Sequence, residues 1–488
     1  MVKSFQKVPG PKGIYNLPYI GLLILGQSLG VLNNFEYHRF AACIQKRYGD
    51  FVKLRIKNKW ALFVFHPDTA KEILLKKSKY PITGSLEVYR VYNEQKKLHP
   101  PMISLKGEAW VNLRRPTQEQ MLRPTAVSSY VSSLSDVASD FVDMYQNEGQ
   151  IDDLKSAMSK VVTESTGMLC FNKRLGCLEG ASVIDSAYVD DIFEASEKDL
   201  KRFGPGLYKY ISTPLYRKFE RAADHIFGVA NTELKEATGK IEQAMAEGRL
   251  QEFVQGPSLL YALLTHPDMT PEMVQSVILD LFVAGVESTT NVLCFLWYEL
   301  AKNQDKQQKL QEEIATFGDN NEITKESLLQ MPYLKACVKE IMRQYPPSPS
   351  ICRQLEEDTV INGYNVSAGT EVHLLLQNIC ENPKYFKNPD DFLPERFLRD
   401  SDSGDNDMRN LYPYATLPFG IGARSCLGRR FAETEMYMIT AKFFQCYNVS
   451  LPFTTNKKIK RRYRIFATPV EEIKLKIKQK SKGSKLID

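Results

Sequence analysis

No Cys-x-x-Cys pair occurs in this chain, and its nine cysteines are scattered and odd in number. That excludes the disulfide framework of a small secreted domain and a zinc site built on paired cysteines, and it points to a reducing compartment. No uninterrupted run of ~18 apolar residues is present, so no membrane-spanning helix is expected. The apolar stretch from Leu17 to Leu32 is broken by Pro18, Gly21, Gly26 and Gly30. No Pro/Gly/Ser linker and no internal repeat divides the 488 residues. One large unit is therefore expected, although ~150 residues per domain would allow three. Strong charge is missing too: a net +6 with no basic stripe excludes nucleic acid as a partner.

What is present is mostly helical patterning with a little strand. Phe51 to Ile56 alternates and Trp60 to Phe65 is β-like, so a small sheet is expected early. Asp68 to Lys77 reads as helix, and so does Glu108 to Arg115, interrupted at Pro116 and resuming before Pro124. Helical patterns fill residues 126–320, and Leu334 to Gln344 is another helix, closed by Pro346, Pro347 and Pro349. Residues 359–379 return to strand-like alternation, with a hairpin signal at Asn362-Gly363. Residues 382–419 are loop-rich. The expected class is mainly α with small β-sheets. Residues 1–13 form an N-terminal arm ending in the stiff turn Val8-Pro9-Gly10-Pro11-Lys12-Gly13, residues 14–472 the body, and residues 473–488 a Lys-rich tail. A solvated tail is the default reading of that run, and peripheral attraction to an anionic membrane the minor one.

The most informative segment is Phe419-Gly-Ile-Gly-Ala-Arg424-Ser-Cys426-Leu-Gly428. It sets one cysteine in a glycine-rich loop, with an arginine two residues before it and a helical run from Arg429 to Thr440 after it. Glycines let the backbone approach a flat ligand and aim N–H groups at sulfur. A following helix N-terminus favours the thiolate, and Arg424 can pair with a ligand carboxylate. A lone cysteine near a turn is usually a small apolar residue. Here the pattern is filled at Phe419, Gly422, Arg424, Cys426 and Gly428. It resembles the haem-binding loop of the cytochrome P-450 family, and the order of elements resembles that fold over nearly the whole chain. The cofactor implied is haem b (iron protoporphyrin IX) held by the Cys426 thiolate, which favours O–O cleavage. Covalent attachment is not expected, because there is no Cys-x-x-Cys-His.

Other residues gain meaning beside that loop. Glu340 and Arg343 lie ~60° apart on one helix face. With Arg396 of Pro394-Glu-Arg-Phe they match the family's buried triad, which braces the cysteine loop. Ala284-Gly285-Val286-Glu287-Ser288-Thr289-Thr290 carries a mid-helix glycine, which costs ~1 kcal/mol against alanine. Alone it reads as a Ser/Thr-rich helix end. It resembles the family's oxygen-activation motif, with Glu287 as the acid, Ser288 as the alcohol and Thr289 as neighbouring candidate, turned ~100° away. Serine departs from the usual threonine: it keeps the hydroxyl but loses the methyl that fixes the rotamer. By the same resemblance Trp110, Arg114, Arg353 and Arg424 hold the haem carboxylates.

Lys335 and Lys339, on the face away from Glu340, read by default as exposed base. Leu334 to Arg343, Phe171 to Cys177 and Cys426 to Glu433 resemble the mitochondrial members of the family, in which two lysines at these places dock an adrenodoxin-type ferredoxin. The resemblance implies a monooxygenase that inserts one atom of O2 into a lipophilic substrate of steroid, sterol or secosteroid type, at the matrix side of the mitochondrial inner membrane. Only seven residues precede the Pro-rich turn, too few to show a transit peptide. The alternatives are oxidation of foreign compounds, a haem-thiolate isomerase or dehydratase needing no electron donor, and a non-catalytic haem sensor.

Overall fold

The computed structural model describes residues 2–18, 20–31, 37–56, 58–76, 81–83, 87–123, 128–147, 149–180, 184, 186–200, 207–249, 251, 258–317, 322–398, 412–453, 455 and 457–480. Sixteen α-helices are described: α1 (Gly21–Ser28), α2 (Tyr37–Tyr48), α3 (Pro67–Leu75), α4 (Glu87–Lys96), α5 (Gly107–Met121), α6 (Val131–Asp143), α7 (Leu154–Phe171), α8 (Ser186–Leu200), α9 (Pro214–Ala246), α10 (Leu259–Leu264), α11 (Pro271–Lys302), α12 (Gln304–Ala315), α13 (Lys325–Leu329), α14 (Pro332–Gln344), α15 (Leu376–Cys380) and α16 (Arg429–Cys446). Twelve short strands join them: β1 (Lys3–Ser4), β2 (Phe51–Ile56), β3 (Lys59–Val64), β4 (Gln150–Ile151), β5 (Ile351–Gln354), β6 (Thr359–Ile361), β7 (Tyr364–Val366), β8 (Glu371–Leu374), β9 (Tyr447–Ser450), β10 (Arg461–Tyr463), β11 (Ala467–Pro469) and β12 (Leu475–Gln479).

The central helix α11 starts where Thr270 caps it through the Met273 N–H and Pro271 occupies the first turn. Its composition would let it cross a membrane, but 72% of its most apolar window is buried inside the protein. It packs on α7, whose C-cap Asn172 adopts a left-handed φ of 53°. Trp297 of α11 is fully buried against Phe443 and Phe444 of α16. The cysteine loop and the oxygen-motif segment thus sit on two helices locked to one core.

Among the described residues four sheets run in the orders β2-β3-β8-β5, β1-β7-β6, β4-β12-β9 and β10-β11. Asn362 and Gly363 both take positive φ, at 48° and 76°, the type I′ geometry that closes the β6–β7 hairpin.

Three expectations are corrected here. Pro116 does not interrupt its helix: α5 runs through it to Met121, with Pro116 buried. Burial of its ring offsets the one backbone hydrogen bond that proline cannot donate. The strand-like run of residues 359–379 stops at β8, and Leu376–Cys380 is helical and buried. Residues 473–480 are not a solvated tail. Leu475 and Ile477 are buried, and β12 pairs with both β4 and β9, its lysines facing outward. Alternation explains this: Leu-Lys-Ile-Lys puts every second residue on one face. Lys482 and Lys485 lie outside the described residues. The N-terminal arm is also docked, with β1 on β7 and Lys53 N–H bonded to the Pro9 carbonyl.

Candidate functional site

The cysteine loop is shaped by two glycines with positive φ, Gly420 at 63° and Gly422 at 80°. A Cβ on Gly422 would lie 2.5 Å from the Leu74 carbonyl oxygen, so only glycine fits there. The loop closes through Ser425 N–H to Gly422 O at 3.0 Å and Cys426 N–H to Phe419 O at 2.9 Å. Cys426 then faces a cavity of about 530 Å³, and none of the other eight cysteines lines it. Protein surrounds the thiol although its sulfur opens on the cavity. Burial pushes the free thiol up, while N–H groups of Gly428 and Arg429 and the Arg114 cation pull it down.

One wall of the cavity carries three arginines. Arg424 donates to the carbonyls of Pro81, Met102 and Leu105, and its guanidinium lies 4.0 Å from the centre of the Trp110 ring. Arg114 donates to Ser425 O at 2.7 Å and to Gln118 Oε1 at 3.0 Å. Arg353 donates to the Cys352 carbonyl at 2.9 Å. Among the described residues no carboxylate pairs with any of the three. Burial draws Arg114 down to about 10. Burial, then the charges of Arg353 and Arg114, does the same to Arg424, to about 10. All three remain cationic at neutral pH and crowd one another. Clustered cations without anions suit a ligand that brings its own carboxylates.

Across from Cys426, α11 presents Ala284, Gly285, Ser288 and Thr289 to the cavity. Ser288 Oγ donates to the Ala284 carbonyl at 2.7 Å. Thr289 reaches the cavity edge and bonds to the buried Glu435 of α16, whose carboxyl burial pushes well up. Glu287 is not on that wall. It is buried against Asn291 Nδ2 at 2.8 Å and Thr468 Oγ1 at 3.3 Å. The helical turn that brings Ser288 inward rotates its predecessor ~100° away.

Glu340, Arg343 and Arg396 come together in the core. Glu340 Oε2 accepts from Arg343 Nε at 2.8 Å, and Oε1 accepts from Arg343 Nη2 at 2.8 Å and from Arg396 Nε at 3.3 Å. Leu393 N–H adds a fourth bond at 3.1 Å. The arginines also cap the carbonyls of Cys380, Asn388 and Pro389. The triad therefore grips residues 380–397 directly, upstream of the cysteine loop. The segment around Phe171 to Cys177 has a similar logic. Glu164 gathers Arg174 and the N–H groups of Leu175, Gly176 and Cys177. Despite burial, which pushes it up, Arg174 and those donors hold that carboxyl below its usual range.

The sequence profile described as Cytochrome P450 matches residues 11–477. The chain belongs to the cytochrome P450 family. It is 31% identical to the probable cytochrome P450 49a1 of Drosophila melanogaster, covering 92% of this chain and 79% of the relative. It is 26% identical to the mitochondrial sterol 26-hydroxylase of Rattus norvegicus, covering 98% and 90%. It is also 26% identical to the mitochondrial 1,25-dihydroxyvitamin D(3) 24-hydroxylase of Mus musculus, covering 92% and 84%. A retinoic-acid-bound cyanobacterial CYP120A1 shares the fold, with a TM-score of 0.77 at 19% identity over 98% of this chain and 100% of the other.

This P450 is a monooxygenase with a haem cofactor held by an axial cysteine thiolate. The residues present fit that group. Cys426 is the cysteine on the cavity, Gly422 permits the close backbone approach, and Arg114, Arg353 and Arg424, with no carboxylate partner among the described residues, would suit the carboxylates of the group. Bound there, haem supplies activation of dioxygen. The remaining wall is mostly apolar: Tyr89, Ile192, Phe219, Ile226, Phe227 and Val277. Residues from Tyr89 to Ile103 and Ile351 and Arg353 of β5 also line it.

One cavity residue was not anticipated. Asp280, one turn before Ala284, lines the cavity and accepts from the Met102 N–H at 2.6 Å. Burial pushes its carboxyl up to about 7, with the Met102 N–H pulling the other way. Its four-residue spacing from Ala284 on the same helix was the available signal.

Proposed function

We propose that this P450 hydroxylates a sterol- or secosteroid-type lipophile inside mitochondria, fed by an adrenodoxin-type ferredoxin. The observation that carries the reading is the pairing of a mostly apolar cavity that carries the Asp280 carboxyl away from the arginine wall with a basic face behind the cysteine loop. Two of the relatives, the sterol 26-hydroxylase and the vitamin D 24-hydroxylase, support the substrate class. A buried acid among apolar walls suits a ligand that is hydrocarbon with one or two hydroxyl groups. On the basic face Lys339, Arg429 and Arg430 are exposed, and Lys335 is half-buried with Nζ on the Leu329 carbonyl. Glu433 bonds Arg429 and lies within the field of Lys335, which sets α14 and the start of α16 side by side. Such a face speeds encounter with an acidic donor and weakens with salt.

In this reading Cys426 would ligate the iron, Trp110, Arg114, Arg353 and Arg424 would hold the haem carboxylates, and Phe419 flanks the loop. Ser288 and cavity water pass protons, with Thr289 and Glu435 fixing the helix behind them. Glu287 acts only through the Asn291 and Thr468 contacts. Two electrons and two protons are consumed, one oxygen atom enters the substrate and the other leaves as water.

Purified holoenzyme with an adrenodoxin-type ferredoxin and its reductase tests the proposal against a panel of sterols, secosteroids and foreign compounds. The expected result is reductant use matched by hydroxylated sterol or secosteroid, declining as salt rises. Turnover of foreign compounds alone would replace the substrate class. An intact thiolate spectrum with no reductant use for any lipophile would overturn the ferredoxin-fed reading.

A further inference from the structure

A second constellation lies on the face of the four-stranded sheet opposite the arginine wall. β5 and β8 are antiparallel, with Cys352 across from His373 and Gln354 across from Glu371. Cross-strand partners share a face, and so do residues two apart, so Cys352, His373 and Glu371 converge. Arg353, between them in register, faces the cavity instead. Cys352 Sγ lies 3.9 Å from His373 Nε2, and Glu371 Oε2 lies 3.7 Å from the same nitrogen. One ligand atom from each residue fits within 4.8 Å of the others. The second oxygen, Glu371 Oε1, is 3.8 Å from Lys59 Nζ.

The other ring nitrogen completes the case. Tyr37 Oη, on α2, lies 2.9 Å from His373 Nδ1. With Nδ1–H donated to the tyrosine oxygen, the Nε2 lone pair points at the sulfur and the carboxylate. A metal-ligating histidine is oriented in this way by an outer partner. Thiolate, imidazole and carboxylate are the donor set of tetrahedral Zn2+. With metal–ligand bonds of about 2.0–2.3 Å, tetrahedral ligands stand about 3.3–3.7 Å apart; the two separations from His373 Nε2 are within a few tenths of an ångström of that, and Cys352 and Glu371 stand within 4.8 Å of each other. All three are half-buried, which leaves water access to a fourth position.

We propose that Cys352, Glu371 and His373 bind one Zn2+, with water as fourth ligand and Tyr37 setting the histidine. The ion bridges β5 and β8 directly behind Arg353, so it stiffens one edge of the cavity without touching the haem.

Holoenzyme dialysed against micromolar Zn2+, with bound metal measured and a chromophoric chelator as competitor, tests this. One equivalent is expected, lost in Cys352→Ser and His373→Gln, and bound about 10–100-fold more weakly in Tyr37→Phe. The thiolate haem spectrum reports whether each variant has folded. A second measurement needs no variant: Zn2+ should slow alkylation of Cys352 by iodoacetamide, read by mass spectrometry, while leaving half-buried Cys43 unprotected. Undiminished binding in folded Cys352→Ser and His373→Gln, no binding by the wild type, or no protection of Cys352 would each overturn the proposal.

Discussion

Replacing Glu340 by glutamine is the sharpest test of how the haem site is braced. The change is nearly isosteric, yet it puts an amide N–H2 where an oxygen now takes an arginine donor. Arg343 and Arg396 are both buried, and Glu340 is the carboxylate they share. Removing one partner of a buried ion pair leaves uncompensated charge and costs about 3–5 kcal/mol. Against a typical folding stability of about 5–15 kcal/mol, that is a large fraction. Arg343 keeps its bonds to Cys380 O and Pro389 O, which favours the lower half of the range. Glu433→Gln is the control: it removes an i,i+4 pair with Arg429 at 3.2 Å, whose arginine is 55% exposed. Such a pair contributes about 0.3–0.5 kcal/mol. The assay is the urea midpoint followed by circular dichroism, alongside the fraction of protein showing the reduced, carbon-monoxide-bound thiolate spectrum. Glu340→Gln should lower both, with the spectrum lost at lower urea because residues 380–397 loosen first. A Glu340→Gln protein within about 1 kcal/mol of wild type, or a Glu433→Gln protein equally damaged, would refute the reasoning.

Asp280 gives a pH signature. Its carboxyl, raised to about 7, is neutral below that pH and charged above it. Affinity for an uncharged lipophile should therefore fall as pH rises through 7, and so should the acid's contribution to folding stability. Asp280→Asn should flatten the affinity trend, as measured by spin-state titration from about pH 6 to 8.5. Ser288→Thr should raise the ratio of product to reductant consumed, and Ser288→Ala should lower it; equal ratios in all three proteins would remove Ser288 from proton delivery. Lys335→Glu with Lys339→Glu should raise KM for the ferredoxin about tenfold at low salt with kcat nearly unchanged. A KM independent of these charges would displace the docking face.

Much of the site was legible because its chemistry is local in sequence. The cysteine loop packs glycines, arginine and thiol into ten residues, and Glu340 and Arg343 are one helical turn apart. The acid–alcohol segment was legible only in part. Helical rotation sends Glu287 and Ser288 to different environments, and which one meets the cavity depends on how α11 is turned against α7. Asp280 was missed because a carboxylate in an apolar helix has no motif around it, and only the Met102 loop makes it a buried acid. Pro116 misled because proline's local cost was weighed without the burial that offsets it. The lysines of residues 474–478 misled because charge density hid an alternating strand. The Cys352, Glu371 and His373 group is invisible in one dimension, being assembled by strand register across some twenty residues.

The position of β12 between β4 and β9 also fixes an order of assembly in time. A ribosome releases α11 long before it reaches Gln479, and at ~5–20 residues per second the interval is roughly 10–40 seconds. For most of that interval the long apolar helix α11 lacks α16, and Cys426 is made only shortly before α16. Haem capture is thus a late event in the life of each molecule. Until then α11 depends on α7, already made, or on chaperones to stay out of aggregates.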